Sequence, residues 1–437
     1  MLAESIDQTE DKTTYTFHLR KDVKFHNGKT MTAEDVVASM NRWKEKSSSV
    51  QVILSDATFS AADEYTVTLH LKEPSSLALT ALAASTQFAA IMPKEIIESA
   101  DAKGVKEYVG TGPFQLNEWK PDQYIHLTKY ADYQSVEMPA DGISGKKAAL
   151  VDDLYFEIVK DASTRIAGVQ TGQYDVGLYL PHENYQQLKS RSDLETGTNI
   201  AGELNLIFNK KQGVFANVKM RQSVNAALDS EKILLGAFSD KDLSRMNSSY
   251  MLPEQVNWYS KAGGEQYNLS DPQKAKQFLQ EAGYNGEEIT FLATREYPFN
   301  YNSSVIVKEQ LESIGIKVNL QTYDWATVVS MREDPTKWNL LITGYPIVST
   351  PVENVFLNSR FFSGPVDDKI TDLLYAIKTS KSQEDAKKLW DELQAYSWEY
   401  LPFVKIGDYT DIWAVTKKVE GYHYFEGPVL WNTRNSQ

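Results

Sequence analysis

Apolar and polar positions alternate from Tyr15 onward. Tyr15, Phe17 and Leu19 stand against Thr16, His18 and Arg20, the period of a half-buried strand. Val23 and Phe25 continue the pattern up to Asn27-Gly28, the strongest short hairpin signal, so a hairpin is predicted here. The period then lengthens. Thr32-Ala33-Glu34-Asp35 opens a helix in which Thr32 can cap, Asp35 holds a capping-box position, and Val36, Val37, Met40 and Trp43 form an apolar stripe.

Strand-like alternation returns in "YTVTLHLKEP", ending at Pro74, and an Ala/Leu-rich helix follows at 76–84. "IMPKEIIESA" reads as a strand end turning into a helix, and Gly110–Tyr130 as a Gly/Pro turn feeding two antiparallel strands. Residues 134–148 are loop-like, 152–159 a strand, 161–173 a helix ended by Gly172, and "YDVGLYL" a buried strand. In the second half, 218–238 is helical, with Asp229 capping a second segment, and 271–284 has Pro in its first turn and Gly near its C-terminal end, the usual helix asymmetry. "EEITFLATRE" is a strand, "NSSVIVKEQLESIGI" a helix leading into strand "KVNLQTY", and residues 371–400 a helical hairpin before "LPFVKIGDYTDIWAV", read as an alternating strand pair. No fixed-period repeat or low-complexity linker divides the chain. Mixed strands and helices throughout predict an α/β protein with interleaved segments.

The 437 residues allow roughly two or three domains' worth of core. Tyr (24) and Trp (9) are plentiful, and both join an apolar body to a polar tip suited to a core or a ligand. The formal charge of −14 argues against nucleic acid and against docking of the protein body on an anionic membrane. With no cysteine, disulfides, thiolate metal sites and thiol catalysis are excluded. No apolar run approaches the ~20 residues that span a bilayer. The opening "MLAESIDQTEDKTTY" lacks the basic and apolar regions of a signal peptide.

Phosphate-loop, zincin, nucleophile-elbow and dinucleotide motifs are missing, so no enzyme activity and no cofactor are expected. The six histidines are scattered singly. His18, His70 and His126 fall mid-strand opposite the apolar face, which predicts surface or sheet-edge positions. His18 and His26 could face each other across the hairpin, but a metal site needs a third ligand, so no metal is expected. Acidic pairs such as Glu34-Asp35 and Asp152-Asp153 read as solvated. A carboxylate pair of the glycosidase kind is not selected by anything in the sequence. Arg165 reads as a surface ion pair. Arg332, seven residues after Trp325, is either a solvated helix-end residue or a planar fork for a ligand carboxylate.

Taken in order, "YTFHLRKDVKFHNGKTMTAEDVVASMNRW", "LKEP", "IMPKE", "GTGPFQL", "STRIAGVQTGQYDV", "VKMRQSVNAALDSEKI", "DPQKAKQFLQEAGY", "IGIKVNLQTYDW" and "LPFVKIG" resemble the landmarks of the extracellular solute-binding proteins of bacterial ABC importers, in the family that handles oligopeptides, dipeptides and nickel complexes. The resemblance spans nearly the whole chain. It implies a two-lobe Venus-flytrap fold with an extra subdomain at 5–110, a first lobe of 111–203 plus 410–437, and a second lobe of 204–409. A ligand held in the cleft would stabilise a closed form that the importer's transmembrane subunits read. The implied protein is monomeric, extracytoplasmic, periplasmic or lipid-anchored at the cell membrane, and not an enzyme.

Two departures from the family pattern stand out. Relatives carry a leader and several tens of residues before "LAES", which this chain lacks. Peptide binders show a Gly-Trp, then an Asp, then a Pro in the second lobe, where the Asp meets the peptide's amino terminus. Here Thr343–Asn354 reads "TGYPIVSTPVEN": Tyr345 replaces the Trp, and Val348 and Ser349 stand where the Asp would be. Glu353 could substitute. Positions matched to the family give Tyr179, Trp325, Arg332, Gly344, Tyr345, Tyr409 and Trp413 as ligand-binding candidates, with core packing as the competing reading for each aromatic. Within the family the alternative ligand is a nickel or other metal–chelator complex of the opine-metallophore type. Outside it, the alternatives are an α/β hydrolase and a non-transporting relative used as a receptor or chaperone.

Overall fold

The computed structural model describes residues 1–436. The chain forms two compact units, Met1–Asn199 together with the segment from Ile412, and Ile200–Asp411.

In the first unit, strands β1 (Ala3–Gln8), β2 (Thr14–Leu19), β3 (Thr58–Asp63) and β4 (Thr66–His70) form an antiparallel sheet in the order β1-β2-β4-β3. Tyr15, Leu19, Phe59, Val67 and Leu69 are its buried residues. The helix Ala33–Lys46 contributes Val36, Met40 and Trp43 to the core. Its capping box forms as the sequence predicts, with Thr32 N and Oγ1 each 2.9 Å from Asp35 Oδ2. Asp35 Oδ1 also accepts from Lys29 Nζ (2.7 Å) and Lys94 N (2.8 Å). One buried carboxylate thus ties the turn, the helix and residue 94 together.

The predicted hairpin is different in detail. Val23 and Phe25 do not extend β2, whose partners are β1 and β4. The chain leaves the sheet at Arg20, whose guanidinium is forked onto Asp22 and the carbonyls of Met1 and Gln134. Asn27-Gly28 closes a separate small loop with a single Lys24–Thr30 bridge. His18 and His26 do not meet: His18 pairs with Asp7 (2.9 Å), whereas His26 accepts from Gly110 N at Nδ1 (3.2 Å) and donates from Nε2 to Gly112 O (3.0 Å). Burial pushes the His26 imidazole below its ordinary 6.5, against the opposing pull of the Gly112 carbonyl. Because the folded pKa lies below the unfolded one, the unfolded chain binds the extra proton, and stability falls as pH drops through about 6.5. Denaturant unfolding from pH 8 to pH 5 should therefore show wild type losing more stability on acidification than His26→Gln; equal losses would contradict this.

Strands β5 (Phe114–Lys120), β6 (Tyr124–Lys129) and β7 (Asp153–Glu157) form a second antiparallel sheet. His126 is not at its surface, being only 9% exposed. It is stacked 4.1 Å from Tyr155 and bonded to Asn117 (2.9 Å) and Asp153 (2.7 Å). Asp153, read as solvated, is its partner because β7 pairs with β6. The helix Ala162–Thr171 ends at the left-handed Gly172 as its sequence signals, with Asp161 capping its start, and β8 (Val176–Leu180) follows.

In the second unit, β9 (Leu194–Phe208), β10 (Ser244–Arg245), β11 (Glu288–Ala293), β12 (Lys317–Thr322), β13 (Leu340–Pro346) and β14 (Phe403–Thr416) run in the order β10-β14-β9-β13-β11-β12. The unit boundaries fall within β9 and β14. β14 is one strand, not a pair. Phe403–Asp408 is buried at every position, so alternation gives no register there. The helices Val218–Ala227, Ser230–Phe238 and Pro272–Glu281 follow; the second carries the predicted Asp229 cap, and Asp271 caps the third. Arg221, 1% exposed, pins the carbonyls of Phe215, Ala216, Tyr400 and Leu401. Among the described residues no helix is long and apolar enough to cross a membrane.

Candidate functional site

In the first unit the candidates Tyr179 and Trp413 come together at a β-bulge. The C-terminal end of β14 pairs with β8, Ile412 with Leu180 and Ala414 with Gly177. Trp413 alone therefore opposes Leu178 and Tyr179, and a bulge of this kind re-aims a side chain. Tyr179 has φ +51°, left-handed for a non-glycine residue, and is 61% exposed. This strand end is thus not buried as the sequence suggested. Local strain of this sort costs about 1–3 kcal/mol and persists where the surroundings impose it. Arg165 supplies part of that constraint. It is no simple surface ion pair: Nη2 donates to Tyr179 O (3.0 Å), and Nη1 to Val159 O (2.8 Å) and Lys160 O (3.1 Å). Trp413 lies over Gly197, where a Cβ would come 2.1 Å from its Cζ2. Its ring meets Tyr422 edge-on at 5.3 Å. Trp413 Nε1 and Tyr422 Oη are both buried with no hydrogen-bond partner among the described residues.

The second unit holds the other five candidates: Gly344 and Tyr345 on β13, Tyr409 on β14, and Trp325 and Arg332 at the two ends of one helix. Gly344 is a packing glycine: a Cβ there would lie 2.6 Å from Tyr409 Oη. Tyr409 therefore occupies the Gly344 face, and strand alternation puts Tyr345 on the opposite one. Tyr409 packs on Phe238 (5.1 Å) and Phe299 (5.6 Å), which also pack on each other at 5.9 Å. The ring series continues through Tyr297 to Trp325, which meets Tyr297 edge-on at 5.6 Å. Burial, with Asp411 and Glu203 adding to it, raises the Tyr409 phenol above its ordinary range.

On the Tyr345 face the charges gather. Burial, then the carboxylates of Glu203 and Glu353, push the Tyr345 phenol up to about 12, with Arg332 pulling the other way. Tyr345 stands directly opposite Glu203 in the β13–β9 ladder and packs edge-on against Phe356 at 5.0 Å. Arg332 ends the helix Trp325–Arg332. It is not simply solvated: its side chain is 22% exposed and its guanidinium lies 4.5 Å over the Phe362 ring. Arg332 Nε is buried without a hydrogen bond, its nearest acid being Glu333 at 3.5 Å. Such a guanidinium is held flat while its donors stay available, an arrangement suited to a planar carboxylate. Glu353 does not take the place of the absent Asp, because its carboxylate caps Thr350 at N (2.8 Å) and Oγ1 (2.9 Å).

Beneath Tyr345 lies a buried charge network that the sequence reading missed. Lys405, fully buried, sits 2.7 Å from Asp408 and 3.3 Å from Glu203. Asp408 also accepts from Arg245 Nε (2.8 Å) and Asn247 Nδ2 (2.9 Å), and Arg245 forks onto Glu254. Desolvation raises the Glu203 carboxyl, with Lys405 opposing. The available signal was charged residues inside an otherwise apolar strand, "FVKIGD". Among the described residues, no group of three His, Cys, Asp or Glu side chains could hold a metal ion. The arrangement suits holding a polar ligand with charged groups: stacked rings, an available guanidinium and a buried carboxylate.

The comparisons with known proteins agree with such a binding role. A sequence profile of the bacterial extracellular solute-binding proteins, family 5, matches residues 1–366. The chain is 30% identical to a probable peptide ABC transporter periplasmic-binding protein of Sinorhizobium fredii, over 98% of this chain and 84% of that protein. It is 27% identical to the oligopeptide-binding protein AppA of Bacillus subtilis, over 99% and 82%. Among solved structures, the periplasmic binding protein AgaA of A. tumefaciens R10 in complex with agropinic acid superposes with a TM-score of 0.80 at 25% identity, covering 100% of this chain and 89% of that one.

Proposed function

From the premise that the chain belongs to family 5 of the bacterial extracellular solute-binding proteins, we propose that it is the capture component of an ABC importer for a peptide or peptide-like solute. Members of this family are transport components, not enzymes, and act outside the cytoplasm. The observation that carries the ligand class is Arg332, stacked on Phe362 with Nε unbonded and within electrostatic reach of Tyr345, which suits a ligand carboxylate. Tyr179, held exposed in a left-handed conformation, is the ligand-facing ring of the first unit. The protein works as a monomer with the importer's transmembrane subunits, in the periplasm or held to the cell membrane by a lipid anchor.

Native mass spectrometry of the protein as purified tests the reading. A series of peptide masses released on denaturation is expected, together with a thermal shift on adding a bound peptide, since binding only the folded state stabilises it. A single metal-bearing mass would replace the peptide by a metal chelate. Turnover of an ester or peptide panel, abolished by one Ser or carboxylate substitution, would overturn the transport role.

A further inference from the structure

The Tyr345–Pro351 stretch supplies no acid of its own, and Glu353 is turned onto its cap. The neighbouring strand supplies one. Tyr345 pairs with Glu203 and Thr343 with Asn205, and paired residues of an antiparallel ladder share a face with Cβ atoms about 5 Å apart.

The counter-charges around Glu203 are shared unevenly. Two buried carboxylates, Glu203 and Asp408, share the cations Lys405 and Arg245, and Arg245 also reaches the exposed Glu254. Arg245 is spent on Glu254 and Asp408, and Lys405 lies closer to Asp408 (2.7 Å) than to Glu203 (3.3 Å). Glu203 is therefore the less tightly paired of the two buried carboxylates, and its other donor is Asn205 Nδ2 at 2.9 Å. The second oxygen-bearing end of that amide, Asn205 Oδ1, is buried with no partner among the described residues. A buried carboxylate that shares its only nearby cation and a buried acceptor without a donor are both costly, and here they are adjacent.

One chemical group answers both needs. A primary ammonium brings a positive charge and three N–H donors. We infer that Glu203, with Asn205 Oδ1, receives the ligand's free amino group, while Arg332 is left for its carboxylate. The ligand class is then a zwitterion with an unblocked amine. This rests on the capture of a peptide-like solute proposed above, and it places the ammonium partner on β9 instead of the Tyr345–Pro351 segment.

The test uses a mixed-sequence pool of tri- to pentapeptides with free amino termini and the same pool N-acetylated, each titrated against wild type and Glu203→Gln by native mass spectrometry. Wild type should favour the free pool. In Glu203→Gln, affinity for the free pool should drop by at least ~30-fold, with the acetylated pool changed by less than about threefold. A variant that keeps the wild-type preference overturns the assignment of Glu203 while peptide capture stands. Wild type binding neither pool overturns peptide capture, and the inference falls with it. Should Glu203→Gln unfold, Glu203→Asp keeps the charge but shortens its reach. It should still prefer the free pool, at several-fold lower affinity, and unchanged affinity would overturn the inference. Wild-type indifference to acetylation would do so as well, leaving Asn205 Oδ1 to a trapped water.

Discussion

Lys405→Met should destabilise the protein by about 3–5 kcal/mol near neutral pH, the range for removing one partner of a buried ion pair. Lys405 is fully buried and serves Asp408, Glu203 and the Ser249 carbonyl together. Methionine fills much the same volume, so packing changes little and the loss is electrostatic. Asp408 would keep Arg245 and Asn247, but Glu203 would be left with Asn205 alone. The sign of the pH dependence follows. Desolvation already raises the Glu203 carboxyl above its ordinary value, and without Lys405 the folded protein would hold that proton more tightly still. A group with a raised folded pKa contributes stability at low pH that is lost as pH rises. The gap between wild type and variant should therefore narrow on mild acidification. Adding Glu203→Gln to Lys405→Met should restore part of the lost stability, a coupling that a double-mutant cycle measures. Equal loss at all pH values, with no rescue, would mean that the damage is packing and not charge.

Local features were the legible ones. The Thr32–Asp35 capping box, the Asp229 cap and the Gly172 stop each involve residues within four positions of one another, so the spacing alone carries the interaction. β9 escaped notice because Gly197 and Gly202 look like breakers in its sequence. Each instead makes room for something distant: the Trp413 ring at Gly197, the Tyr345 carbonyl and Tyr409 hydroxyl at Gly202. Gly344 has the same origin, making room for the Tyr409 hydroxyl. Family resemblance brought Tyr345 and Arg332 forward, and both lie within electrostatic reach of one another. It could not indicate that Tyr345 and Tyr409 occupy opposite faces, since that depends on strand register. Glu203 was invisible for a related reason. It looks like an ordinary solvated charge until β9 and β14 are placed in one sheet.

Arg332→Gln should leave folding almost untouched, within about 1 kcal/mol, while weakening capture of carboxylate ligands by roughly 30- to 100-fold. The asymmetry comes from how the side chain is held. Its nearest acid, Glu333, is 3.5 Å away and 62% exposed, so little ion-pair stabilisation is lost. What goes is a planar fork, stacked 4.5 Å over Phe362 and fixed before the ligand arrives, so that binding costs little side-chain entropy. Lysine should rescue poorly, because it has the charge but neither the plane nor the paired donors. The measurement compares the mixed peptide pool as free acids with the same pool C-amidated. Wild type should prefer the acids, and Arg332→Gln should bind both forms alike. The acid–amide axis then reports on Arg332, as the amine–acetyl axis reports on Glu203. If the two substitutions act independently on their own axes, the ligand's two ends are read by separate groups. Arg332→Gln losing both forms equally would instead assign Arg332 to positioning the Tyr345–Phe362 rings.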